Sequence, residues 1–189
     1  MNDDLYLEKA QEFFETNKDD LYIFSVASLY TIDNPDVMQI SLQRMLNDSI
    51  SKEDFIFAEN KIIAFLEYLY IKSEKVSCYC ATNLDGEPFR KHKYVKKSKE
   101  IRTFINYVLS GAGNDKLVEV EDINALRGFA IVGVRCGAVY LYFENPDMDV
   151  VIDNCQSFYI KFKENNIAEE FMSVARRLGI NADKLSIYK

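Results

Sequence analysis

The sequence has one histidine, His92, and any triad of the Ser/His/Asp or Cys/His type would have to use it as its base. Six cations lie within seven residues of it, and nearby positive charge lowers the pKa of an imidazole and keeps it neutral. No nucleophile motif accompanies the histidine, and its segment is predicted to form an exposed strand and loop. We therefore interpret His92 as a solvated surface residue.

Cys78 and Cys80 are two residues apart, so on a strand both thiols would face the same side and could share a metal ion. Structural zinc sites pair two cysteine or histidine knuckles, whereas the other candidates here, His92, Cys136 and Cys155, are isolated. We predict small buried thiols, no metal site and no cofactor.

Four carboxylates cluster around a predicted Asn145–Pro146 turn, and paired carboxylates can hold Mg²⁺ or transfer protons. Their spacing does not match a calcium loop, which indicates a solvated loop. An enzyme that works without histidine, built on Asp149, Asp153 and Arg135, remains an open alternative. The four carboxylates are Glu144, Asp147, Asp149 and Asp153.

Positive charge is concentrated in one segment of an acidic chain whose net charge is −7. Residues 1–74 carry 6 basic and 15 acidic groups (net −9), whereas residues 75–110 carry 8 and 3 (net +5). A lysine-rich edge strand protects a sheet from aggregation, but the segment could also bind an acidic protein or a nucleic acid or nucleotide. Its candidate binding residues are Arg90, Lys91, His92, Lys93, Tyr94, Lys96, Lys97 and Lys99.

Tyr140 and Tyr142 form a second candidate binding surface, with Tyr159 on a neighbouring strand. Alternation predicts that the two side chains share one face of a strand. Tyrosine is enriched at protein interfaces, although it also favours strands.

Composition excludes several classes of protein. A hydrophobic fraction of 48% is typical of a folded chain, and no apolar stretch is long enough to cross a membrane. The acidic N-terminus lacks the features of a signal peptide, so we expect a cytoplasmic location and reduced cysteines. Neither a Walker motif nor a dinucleotide-binding glycine motif occurs.

The first part of the chain is predicted to be mainly helical. Its longest helix begins after Ser51 and carries a wide apolar stripe from Phe55 to Tyr70. Residues 21–30 are compatible with either a helix or a strand. A hairpin is predicted over 76–95, followed by a helix that ends at Gly111.

The last third is predicted to be mainly strands. Segments 117–120, 157–163 and 185–188 have strand patterns, and 129–135 with 138–143 is predicted to form a hairpin about Cys136–Gly137. A final helix is predicted from about Asn166 to Gly179. The fold class is thus α+β: a helical N-terminal part, then an antiparallel meander with a covering C-terminal helix. We expect a single domain of residues 1–189, with sub-lobes at 1–112 and 113–189.

Without a complete catalytic set, binding is the favoured role. We expect a protein that blocks a protein target sterically, as an immunity protein (antitoxin) or a phage-borne inhibitor does. The alternative is a nucleic-acid or nucleotide-binding protein that uses residues 90–99.

Overall fold

A computed structural model describes residues 12–13, 21–26, 52–80, 118–136, 139–153, 157–163 and 165–184. Seven strands and three helices lie within these ranges. In chain order they are β1 (Leu21–Val26), α1 (Lys52–Lys72), β2 (Lys75–Cys80), β3 (Val118–Glu119), α2 (Ile123–Cys136), β4 (Val139–Glu144), β5 (Met148–Asp153), β6 (Ser157–Phe162), α3 (Asn165–Arg177) and β7 (Ile180–Lys184).

The strands form one antiparallel sheet in the order β3-β2-β4-β5-β6-β1-β7. Strands β4, β5 and β6 form an antiparallel meander and the α+β class is confirmed, although β5 itself was not predicted as a strand. Strands β1 and β2 come from the first part of the chain and β3 to β7 from the last, so both predicted sub-lobes contribute to one sheet. The segment left open at 21–30 is a strand over residues 21–26.

One face of the sheet carries the main core, and all three helices pack on it. Alternate strand residues on this face are fully buried, as in Leu141, Val150 and Ile160. The rings of Phe24 and Phe158 stack at 5.0 Å, and Phe65 of α1 lies over both.

The predicted apolar stripe of α1 forms the inner side of that helix and is confirmed as core. The fully buried residues of the stripe are Phe55, Ile62, Phe65, Leu66 and Leu69. Burying one such side chain contributes about 1.5–3 kcal/mol. Helix α3 covers the neighbouring strands through Phe171, whose ring stacks on Phe162 at 5.7 Å.

The second face of the sheet is also covered, at least at Tyr140. Phe13, which lies in a helical segment, is 4% exposed and meets the Tyr140 ring edge-on at 6.1 Å. Tyr140 and Tyr159 on this face are 7% and 6% exposed. The sheet is therefore an interior layer at these positions.

The hairpin predicted about Cys136–Gly137 is wrong, because residues 123–136 form helix α2. Asp122 caps the helix: its Oδ1 accepts hydrogen bonds from the backbone N–H groups of Asn124 and Ala125, both at 2.8 Å. The β-branched residues Ile131, Val132 and Val134 suggested a strand, but tertiary packing overrides that weak preference. The helix approaches β5 so closely that a Cβ on Gly133 would lie 2.8 Å from Ile152.

Other predicted boundaries have mixed outcomes. Strands at 117–120, 138–143 and 157–163 are confirmed as β3, β4 and β6. The last helix ends at Arg177, and the predicted cap residue Gly179 follows with a φ of 73°. The strand after that helix is 180–184, and the predicted strand 185–188 lies outside the described residues. Residues 81–95 of the predicted hairpin, the predicted helix ending at Gly111 and the predicted boundary between the sub-lobes at 112–113 also lie outside them. The turn predicted at Asn145–Pro146 is confirmed over residues 145–147. The solvated loop predicted for the carboxylates that follow is wrong, because Asp149 and Asp153 lie in β5.

A buried ion pair fixes α1 against α2. The guanidinium of Arg135 donates two hydrogen bonds of 2.6 Å to the Glu59 carboxylate, from Nε and from Nη2. Glu59 is 3% exposed and Arg135 is 9% exposed. Paired guanidinium and carboxylate planes of this kind constrain distance and orientation together. The pair therefore sets how α1 lies in the helix layer.

Replacing only one partner of this pair should destabilise the fold strongly. We expect Glu59→Leu to lower the free energy of unfolding by about 3–5 kcal/mol, because Arg135 stays buried without this carboxylate. The double variant Glu59→Leu/Arg135→Met should recover most of the loss, since apolar replacements carry no such cost. Urea unfolding followed by circular dichroism measures both. A single variant within 1 kcal/mol of the parent would contradict the role assigned to the pair.

Candidate functional site

The basic segment with its eight predicted binding residues, Arg90 to Lys99, lies outside the described residues, so its binding role stays a prediction. Strand β2, which precedes it, pairs at Ser77 and Cys78 with both β3 and β4, so both edges of the strand are occupied there. Cys78 is fully buried on the core face. Among the described residues no group of three or more histidines, cysteines or carboxylates could hold a metal ion.

The two predicted tyrosines lie on the second face of the sheet, in different surroundings. Tyr140 belongs to a buried row with Val151 and Tyr159, whereas Tyr142 is only half-buried. Tyr142 lies in a polar row that crosses four adjacent strands as Ser77, Tyr142, Asp149 and Lys161. Of the two, only Tyr142 offers surface to a partner.

Asp147 is held by two neighbours beside the β4–β5 turn. The Tyr142 hydroxyl and the Lys163 ammonium each approach its carboxylate at 3.3 Å, and the same ammonium lies 4.8 Å from the centre of the Tyr142 ring. Burial raises the pKa of Tyr142, with the carboxylate of Asp147 adding to the effect and the Lys163 charge opposing it. The three side chains thus satisfy one another, as in a structural network.

Asp149 lies next to this network in a poorly solvated position. Burial raises the pKa of its carboxyl group, against the opposing effects of a hydrogen bond from Tyr140 and the charges of Lys163 and Lys161. Desolvation therefore outweighs the stabilising partners of the ionised form.

The hypothetical histidine-free active site is not assembled. Arg135 points into the helix layer, where it binds Glu59, whereas Asp149 faces the other side of the sheet. Asp153 ends β5, and its side chain is outside the described part. The sheet thus separates Arg135 from Asp149.

The most exposed apolar surface of the described residues is on the outer side of α1. Phe57 is 62% exposed and Ile71 is 71% exposed, and they are the exposed large hydrophobic residues in the described part of the chain. They are 14 residues apart, which is close to four helical turns, and the exposed Ala64 lies midway. We call Phe57, Ala64 and Ile71 the outer stripe.

Helix α1 is the central helix of its layer, so the outer stripe faces away from the sheet between two flanking helices. On the α2 side Arg127 pairs with Glu67. On the α3 side the Tyr68 hydroxyl donates to Glu170 at 3.0 Å, and Lys61 donates to the carbonyl of Gly179 at 3.3 Å. These contacts hold α1 at both sides and leave its outer stripe exposed.

Charged groups surround the Phe57 end of the stripe. Glu53 and Asp54 are exposed one turn before Phe57, and the Lys61 ammonium lies 4.6 Å from the centre of its ring. Sequence reasoning singled out only the inner stripe of this helix. A signal was present, because Phe57 and Ile71 are apolar residues that fall outside the arc of the inner stripe.

Compared with known proteins, the chain matches no family model, no curated protein and no solved structure. None of the helices in the described ranges is long and apolar enough to span a membrane.

Replacing Asp149 with Asn should stabilise the protein at neutral pH. A raised carboxyl pKa in the folded state means that ionised Asp149 costs stability above that pKa. Asparagine removes the cost, so the variant should gain over the parent as pH rises from the ordinary carboxyl pKa through the raised one. Below the ordinary pKa the two proteins should be equally stable.

Urea unfolding of both proteins from pH 3 to pH 8 measures this difference, with Asp183→Asn at an exposed position as the matched control. A variant that is less stable than the parent at pH 7 would show that the carboxylate is net stabilising.

Proposed function

We propose that this chain acts by binding a basic protein through the outer stripe of α1 and blocks that protein sterically. The observation that carries the proposal is the exposure of Phe57 and Ile71 on one side of a helix that is otherwise firmly packed. Such an inhibitor, for example an immunity protein or a phage-borne inhibitor, needs a rigid surface and no catalytic group.

A rigid aromatic side chain on a fixed helix is well suited to anchor a complex. Aromatic residues are enriched at the cores of protein interfaces, and a few buried anchors supply most of the binding free energy. Phe57 lies on the same helix as Glu59, so the buried ion pair with Arg135 also fixes the backbone from which the Phe57 side chain projects. Little conformational entropy is lost when such a surface binds.

Charge favours a basic partner. Glu53 and Asp54 lie beside the anchor, and residues 1–74 carry a net charge of −9. A target pocket ringed by lysine or arginine would complement this end of the helix and speed association. Toxins and enzymes that act on nucleic acids present such surfaces, because they must bind phosphates.

Phe57→Glu should weaken the complex with the target by about 30-fold or more, since loss of an interface anchor costs about 2 kcal/mol. The target is to be captured from the cells that naturally make this chain and then titrated as a purified protein by calorimetry. The association rate with the unsubstituted chain should also fall as salt rises.

Ser173→Glu is the matched control, because Ser173 is exposed on the flanking helix α3 and is not part of the outer stripe. Both variants should unfold within about 0.5 kcal/mol of the parent, as expected at exposed positions. Equal affinities of the Phe57 and Ser173 variants for the target would eliminate the outer stripe as the docking surface.

The alternative function, nucleic-acid or nucleotide binding by Arg90 to Lys99, is supported by the net charge of +5 over residues 75–110. Its affinity for single-stranded DNA should fall steeply with salt, and the triple variant Lys93→Glu/Lys96→Glu/Lys97→Glu should abolish it. Fluorescence anisotropy with a labelled oligonucleotide measures both effects. Binding that is indifferent to the three substitutions would remove this alternative.

A further inference from the structure

The outer stripe is symmetric about its centre. Phe57 and Ile71 each lie seven residues from Ala64, so a large apolar residue stands on either side of a small one. Seven residues make two helical turns less about 20°, which keeps the three on one nearly straight line. The order of side chains along the helix axis is therefore large, small, large in both directions.

We infer that two copies of this chain pair through this stripe, antiparallel and with a two-fold axis at Ala64. In that arrangement Phe57 of each copy packs against Ile71 of the other. The methyl group of Ala64 at the axis lets the two helix backbones approach closely. A surface that pairs with itself in this way is the commonest kind of homodimer interface.

Charge selects the antiparallel orientation. Asp54 and Lys72 are exposed and lie on the same flank of the stripe, near opposite ends of the helix. An antiparallel pair brings Asp54 of each copy to Lys72 of the other, whereas a parallel two-fold pair would place the copies of each residue on opposite flanks, where the two opposite charges do not meet. Antiparallel helix dipoles add to the same preference.

The pairing also regulates the proposed function, on which this part of the inference rests. It buries Phe57 against the second copy, so the dimer has to dissociate before a target can reach the anchor. The target and the second copy therefore compete for one surface, and the free inhibitor is protected from non-specific apolar contacts.

Cysteine cross-linking tests the geometry. Ala64→Cys should form a disulfide-linked dimer on mild oxidation, because residue 64 faces itself at the axis within the reach of a disulfide. Phe57→Cys alone should not cross-link, since its two copies are about 21 Å apart along the helix. A mixture of Phe57→Cys and Ile71→Cys should cross-link, and the unsubstituted chain gives the background of its own four cysteines.

Light scattering after size exclusion tests the association itself. The parent should form a concentration-dependent dimer, and Ala64→Arg should raise its dissociation constant by about 30-fold or more by placing like charges at the axis. Ser173→Arg, on exposed α3, should leave the dimer unchanged. The pairing is wrong if the parent stays monomeric at millimolar concentration, or if Ala64→Arg leaves the dissociation constant of the dimer unchanged. Cross-linking of Phe57→Cys with itself would also contradict it.

The two proposals fail separately. A monomeric parent whose target affinity still depends on Phe57 would refute the pairing and leave the proposed function standing. A stable dimer whose affinity for the target is unaffected by Phe57→Glu would refute the proposed function and leave the pairing standing.

Discussion

The bidentate ion pair between Glu59 and Arg135 is the interaction on which the presentation of α1 depends. It is buried between two helices, and it fixes both the spacing and the rotation of α1 relative to α2. A rotation of α1 about its axis would break both hydrogen bonds and would turn Phe65 away from Phe24 and Phe158. The same constraint therefore decides which residues are buried and which face outward.

That constraint makes the outer stripe a defined surface. A buried ion pair contributes little net stability compared with an apolar contact of the same volume, so its value here lies in orientation. The inner side of α1 supplies the core, and the flanks are held by Arg127 and by Tyr68. Phe57 and Ile71 remain on the outer side, where most of each side chain is exposed.

The elements that could be predicted from the sequence are those with one clear period. The inner stripe of α1 has a single buried side, and in β6 the apolar residues Phe158, Ile160 and Phe162 alternate regularly onto the core face, so both patterns are clear. The second half of helix α2 was predicted as a strand because Ile131, Val132 and Val134 are β-branched and their stretch of the helix has no polar side. Strand β5 was hidden by its acidic residues, although Val150, Val151 and Ile152 already favoured a strand.

The candidate site was harder to predict for a physical reason. Clusters of polar residues are the usual sign of a functional site in a sequence. In the structure these residues bind one another instead: Asp147 pairs with Lys163 and Tyr142, and Arg135 pairs with Glu59. The tyrosines expected on an open face include Tyr140, which is covered by Phe13. The surface that remains is apolar, and a sequence shows such residues only once the buried arc of their helix is known.

Site-specific photocrosslinking tests most directly whether the outer stripe of α1 meets another protein. A photoreactive phenylalanine analogue at position 57, in cells that naturally make the chain, should give discrete protein adducts, either a target or a second copy. The same analogue at position 173 should give none of them. Identical adducts from both positions, or none from position 57, would contradict the account.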